Sequence, residues 1–177
     1  ALYVRRGVTI TPIIHGGGQE RGLRSGTENV PGIVGMGAAA AAAVSRLPAE
    51  RPRLEELCDK VIDGVLASVE GATLLGHRRR RLPGNACFTV RFVEGESMVL
   101  RLDAEGVAAS SGSACASAAT EPSRVVTAMG YDAVDARGSL RLTLGKENDA
   151  ADVEYFLDRF PAVVNALRAM SPLSARS

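Results

Sequence analysis

The stretch Asn85-Ala86-Cys87-Phe88-Thr89-Val90-Arg91-Phe92-Val93 sets Ala86, Phe88, Val90 and Phe92 on one face and Asn85, Cys87, Thr89 and Arg91 on the other. Period-two patterning of this kind predicts a strand with one buried face. Gly95 to Glu105 follows at once, and there Met98, Val99 and Leu102 recur at helical spacing. Upstream, Leu54, Leu57, Val61, Ile62, Val65 and Leu66 predict a helix ending near Gly71, and Ala72 to Leu75 a short strand. Downstream, Val107 to Ala109 reads as a strand and Ser123 to Met129 as a helix. Ser139 to Leu144 is a further strand, with Leu140, Leu142 and Leu144 opposite Ser139, Arg141 and Thr143 and with Arg137 opening it. Asp149 to Met170 is a terminal helix with acidic residues at its start, where they favour the helix dipole. Strands interleaved with helices predict an α/β or α+β domain from about residue 48 onward.

The first part reads differently. Leu2 to Arg5 has strand character, and Pro12 leads into a polar, glycine-rich loop from His15 to Thr27. Ser25-Gly26-Thr27-Glu28 fits a capping box, with Pro31 in the first turn of the helix it opens. Gly32 to Arg46 is mostly alanine and glycine, which suits an interdomain helix packed closely against other backbone, and Pro48 and Pro52 are expected to separate it from the next helix.

Composition sets bounds. With 46% hydrophobic and 23% charged residues over 177 positions, the chain can bury a proper core. A net charge of +1 gives no general attraction to nucleic acid or anionic membrane. No apolar run is expected to reach the length of a bilayer span. The opening residues do not resemble a signal peptide, and an opening in mid-strand suggests material upstream. Cys58, Cys87 and Cys115 form no CxxC pair and their odd number does not suit a disulfide framework, so a reduced, cytoplasmic protein is expected. Neither His15 nor His77 lies near a cysteine in sequence, and no metal site is expected.

Three places can carry chemistry. Cys115 lies in Ser110-Ser111-Gly112-Ser113-Ala114-Cys115-Ala116-Ser117, where small residues leave a thiol accessible and let the backbone move. By composition alone it reads equally as a nucleophile or as a small buried residue, the reading that suits Cys58 on its apolar helix and Cys87 in its strand. The loop from Gly16 to Gly26, five of whose eleven residues are glycine, ends beside a helix start at Thr27 and can be a phosphate cradle or a solvent loop. Arg137, at a strand end, can be a carboxylate clamp or a surface arginine. The run His77-Arg78-Arg79-Arg80-Arg81 reads as a solvated hairpin loop or, alternatively, as a contact for an acidic protein partner or an RNA handled together with one; aromatics at 4% do not suit a direct nucleic-acid face.

Taken together, Gly16-Gly17-Gly18-Gln19-Glu20-Arg21-Gly22-Leu23-Arg24-Ser25-Gly26-Thr27, Ser111-Gly112-Ser113-Ala114-Cys115 and Arg137-Gly138-Ser139-Leu140-Arg141-Leu142 resemble the cysteine desulfurases of the IscS/NifS group. The cysteine block differs from that of the SufS group, which has histidines before a shorter loop. The resemblance implies a class V aminotransferase of fold-type I, α/β, with pyridoxal 5'-phosphate as cofactor. Residues 1–27 would end the large cofactor domain, 28–47 form the interdomain helix, and 48–177 make the small C-terminal domain. It also implies a homodimer, in which the threonine matched by Thr27 reaches the cofactor phosphate of the other subunit.

By the same resemblance, Arg137 matches the arginine that holds the substrate carboxylate, and Cys115 the residue that takes sulfur from L-cysteine as a persulfide, leaving L-alanine. The sulfur would pass to an acceptor protein such as an iron–sulfur scaffold, or to thiolation. The family's covalent lysine belongs to the part before Ala1, and neither Lys60 nor Lys146 matches it. Activity is therefore expected only with that N-terminal part present. Other readings are a selenocysteine lyase or another class V relative, and a non-catalytic dimerisation or acceptor-docking module built on the terminal helix and the tail from Pro172 to Ser177.

Overall fold

The computed structural model describes residues 1–111 and 122–171. The chain divides into two units, Ala1–Arg46 and Leu47–Ser177.

In the first unit, Leu2 to Arg5 forms no strand, and Leu2 and Tyr3 are exposed. A strand needs a neighbouring strand to take up its N–H and C=O groups, and among the described residues these four pair with none; the Arg5 carbonyl instead accepts from the Val8 N–H at 3.1 Å in a turn. The glycine-rich segment is more ordered than a plain loop. Strands β1 (Gly18–Gln19) and β2 (Arg24–Ser25) pair antiparallel around a single 3-10 turn at Glu20–Gly22. Helix α1 (Val30–Ser68) follows, with Pro31 in its first turn as expected. Its cap is Asn29, whose Oδ1 accepts from the Gly32 N–H at 3.1 Å, and not the Ser25–Glu28 box.

Pro48 and Pro52 lie inside α1 and do not divide it. Each removes one N–H, and the carbonyls thereby left free belong to the exposed residues Val44 and Pro48, where water can serve them. The expectation about apolar runs is also corrected. Among the described residues α1 is long and apolar enough to cross a membrane by length and composition. That character comes from a run of six alanines with Val30, Ile33, Val34, Met36, Val44 and Leu47, and the alanines and glycines among them are small residues that suit close helix packing as well as lipid.

The second unit is built on a four-stranded antiparallel sheet in the order β3 (Ala72–Leu74), β4 (Asn85–Val90), β6 (Ser139–Thr143), β5 (Ser110–Ser111). The alternation read from sequence becomes the two faces of this sheet. Ala86, Phe88, Val90, Leu140 and Leu142 form one core with the second half of α1, with α2 (Gly95–Ala104) and with α5 (Ala150–Met170). Phe88, Phe160, Ile62, Met98 and Leu102 are fully buried there, each worth about 2 kcal/mol of hydrophobic stabilisation. A smaller cluster, Leu75, Val126 and Ala136 with Cys87 and Tyr131 against it, packs with α3 (Arg124–Ala128) and α4 (Ala133–Arg137). Asp149 caps α5 through a capping box with Asp152.

Three boundaries move. β4 stops at Val90, because Phe92 turns into the left-handed region at φ 66° and leaves the core face assigned to it by the alternation. β5 lies at Ser110–Ser111, beyond the Val107 to Ala109 expected. Arg137 does not open β6. It is the last residue of α4, a five-residue helix begun by the Asp132 side chain accepting from the Asp135 N–H at 2.8 Å.

Candidate active site

The glycine-rich hairpin presents Thr27. Its base is closed by the Gly26 N–H donating to the Gly17 carbonyl at 2.8 Å, and Gly26 takes φ 92°, a turn that needs glycine. Arg24 Nη1 then donates to the carbonyls of both Gly26 and Thr27 at 3.1 Å, fixing the backbone just before α1. Thr27 is exposed, and its hydroxyl has no hydrogen-bond partner among the described residues. A free hydroxyl beside a guanidinium and a helix start fits a phosphate group.

Arg137 occupies a different setting from the strand end expected of it. Its side chain is exposed and lines a groove of about 460 Å³ with Phe92, Val93, Val134, Leu167 and Met170. Among the described residues no carboxylate or carbonyl satisfies its guanidinium, although Glu94 shares the groove. An anion seated here would meet that carboxylate as well as Arg137.

Arg141, read from sequence only as an outward-facing strand residue, lies across the sheet from the strand that precedes the cysteine segment in sequence. Across β5–β6 it pairs with Ser110, and its Nη2 donates to Ser110 Oγ at 3.3 Å. Ser110 Oγ in turn donates to the Ser111 carbonyl at 3.0 Å. On its other side Arg141 is paired in register with Cys87. Cys115 itself lies outside the described residues, four positions beyond Ser111.

The other two thiols are placed for packing. Cys58 is buried on α1 and points its Sγ at the Asn85 carbonyl, 3.4 Å away. Burial pushes its pKa up, partly offset by the Arg81 and Arg78 charges, while Asp59 adds to the rise. Burial likewise raises the Cys87 thiol, against the lowering effect of Arg141, Arg81 and the Phe88 backbone N–H. Both therefore stay protonated and are poor nucleophiles. No group of histidine, cysteine and acidic residues suited to a metal occurs among the described residues.

The arginine run forms the expected hairpin loop between β3 and β4, exposed at His77, Arg79 and Arg80, and half-buried at Arg78 and Arg81. Arg78 pairs with Asp59 and Asp63 of α1, and Arg79 with Asp59. Arg81 donates to the carbonyls of Leu75, His77 and Asn85, tying the β3–β4 connection together.

The family model for class V aminotransferases matches residues 2–156. The chain belongs to the class V aminotransferase family. Among relatives of this class V chain, cysteine desulfurase IscS 1 of Archaeoglobus fulgidus is 49% identical over 176 residues, which are 99% of this chain and 46% of that protein. Cysteine desulfurase IscS of Methanosarcina thermophila is 47% identical over 176 residues, 99% of this chain and 43% of that protein. A solved structure of a NifS-like protein superposes with a TM-score of 0.73 at 35% identity, over 93% of this chain and 42% of that one. The fold is thus the fold-type I α/β architecture of these proteins, and the chain spans less than half the length of the relatives it matches.

Proposed function

We propose that this chain supplies the sulfur-accepting thiol and the substrate-binding arginine of a pyridoxal-phosphate-dependent cysteine desulfurase. The observation that carries the reading is the match to proteins of that name over 99% of the chain, and so over the segment of Cys115. Thr27 would hold the cofactor phosphate, in a homodimer that of the other subunit, with its backbone fixed by Arg24. When bound, pyridoxal phosphate withdraws electrons from the amino acid and labilises its C–S bond. Cys115, as thiolate, attacks the substrate sulfur. A new S–S bond forms as the C–S bond breaks, the carbon keeps the electron pair and takes a proton, and alanine leaves a persulfide on Cys115. The sulfur then goes to an acceptor protein for iron–sulfur assembly or thiolation, in a reducing cytoplasm. The covalent lysine would come with the part of the family fold that this chain does not span.

Two arginines compete for the substrate carboxylate. The resemblance assigns it to Arg137, whereas the geometry favours Arg141, because its cross-strand neighbours are uncharged and one of them, Ser110, leads along the chain to Cys115. A planar fork with open N–H groups suits a carboxylate. Steady-state kinetics of full-length enzyme test the choice. R141Q should raise KM for cysteine on the order of ten- to a hundred-fold, as expected for a hydrogen-bonded charge pair, and R137Q should not. The reverse result would return the role to Arg137.

A further inference from the structure

We infer that Ser110 is a positioning residue that holds the Arg141 guanidinium ready for the substrate carboxylate; this rests on the carboxylate role proposed for Arg141. An exposed arginine on a strand has many rotamers, and fixing one of them costs side-chain entropy that opposes binding. Ser110 removes part of that freedom before substrate arrives. It stands directly across from Arg141 in the β5–β6 register, so its hydroxyl lies beside the arginine side chain.

The direction of the bonds matters. A serine hydroxyl has one proton, and here the Ser111 carbonyl accepts it at 3.0 Å. The oxygen lone pairs are then left for Arg141 Nη2, which donates to them at 3.3 Å. Arg141 Nε and Nη1 have no partner among the described residues, so the fork keeps open N–H groups for a carboxylate. Cys87, opposite Arg141 on β4, carries no charge as a thiol and does not compete for the guanidinium. The hydrogen-bond chain from Arg141 through Ser110 ends on the last described residue before the Cys115 segment, so one strand carries the support for the clamp and leads to the nucleophile.

Steady-state desulfuration by full-length, cofactor-loaded enzyme tests this with S110A, S110T and R141Q. S110A should raise KM for cysteine on the order of three- to ten-fold, the worth of one hydrogen bond, with kcat within about two-fold because the reacting groups are untouched. S110T keeps the hydroxyl and should restore KM. An unchanged KM in S110A, a loss confined to kcat, or equal defects in S110A and S110T would overturn the role of Ser110. If R141Q raises KM and S110A does not, Ser110 alone is misassigned. If R141Q leaves KM unchanged, the carboxylate role of Arg141 fails, and the inference about Ser110 with it.

Discussion

Val90 and Gly138 hold each other twice: the Val90 N–H donates to the Gly138 carbonyl at 2.9 Å, and the Val90 carbonyl stands where a Cβ on Gly138 would have to go. The contact fixes the joint at which α4 gives way to β6, between Arg137 and the strand that carries Arg141. We predict that G138A, by forcing β4 away from this joint, destabilises the protein by about 1–3 kcal/mol. Denaturant unfolding of the purified full-length protein checks it, and a midpoint equal to that of the wild type would rule out the close packing.

Arg168 on α5 reaches back across the second unit, donating to the Arg91 carbonyl at 3.2 Å and to the Glu70 carbonyl at 2.6 Å. These carbonyls lie at the ends of β4 and α1, so one side chain ties the terminal helix to both. R168M keeps most of the apolar stem and leaves two acceptors to water. It should lower stability by about 1–2 kcal/mol, read as a lower melting temperature, and leave cysteine turnover at permissive temperature little changed.

The buried thiols give a pH dependence of definite sign. The pKa values of Cys58 and Cys87 are raised in the fold above the ordinary value of 9.0. The unfolded chain therefore loses its thiol protons first as pH rises. The stability contributed by the protonated thiols is complete below pH 9.0 and is lost as pH climbs from there through the folded values. Unfolding free energy measured from pH 8 upward should fall above pH 9, and less steeply in C58A. A fall that C58A leaves unaltered would argue against Cys58 as its source.

Much of the second unit was legible in the sequence because its signals are local. The alternation of β4 and β6, the helical spacing in α2 and the second half of α1, and the capping acids of α5 each lie within a few residues. What escaped is non-local or too short to have a period. The five residues of α4 carry no repeat, so the sequence pattern assigns Arg137 to the strand that follows. The pairing of Ser110 with Arg141 joins positions 31 apart through a strand of only two residues. Phe92 continues the alternation perfectly in sequence, and only its positive φ takes it off the core face. At the site, Thr27 and Cys115 were singled out by composition and resemblance. Arg141 was visible only as an outward-facing residue until its cross-strand partner was known.

The chemistry assigned to Cys115 predicts different behaviour for the three cysteines. With Cys58 and Cys87 held protonated by burial, brief alkylation of the native full-length protein at neutral pH should leave both unmodified and label Cys115. Equal labelling of Cys87 would mean that its strand opens readily.

The most direct measurement is peptide mass analysis of the full-length, cofactor-loaded enzyme after a single addition of L-cysteine without reductant. The peptide containing Cys115 should be heavier by one sulfur atom, with alanine released in equal amount, and C115S should show neither the extra sulfur nor alanine. Sulfur found on Cys87 or Cys58, or undiminished alanine release by C115S, would contradict the account.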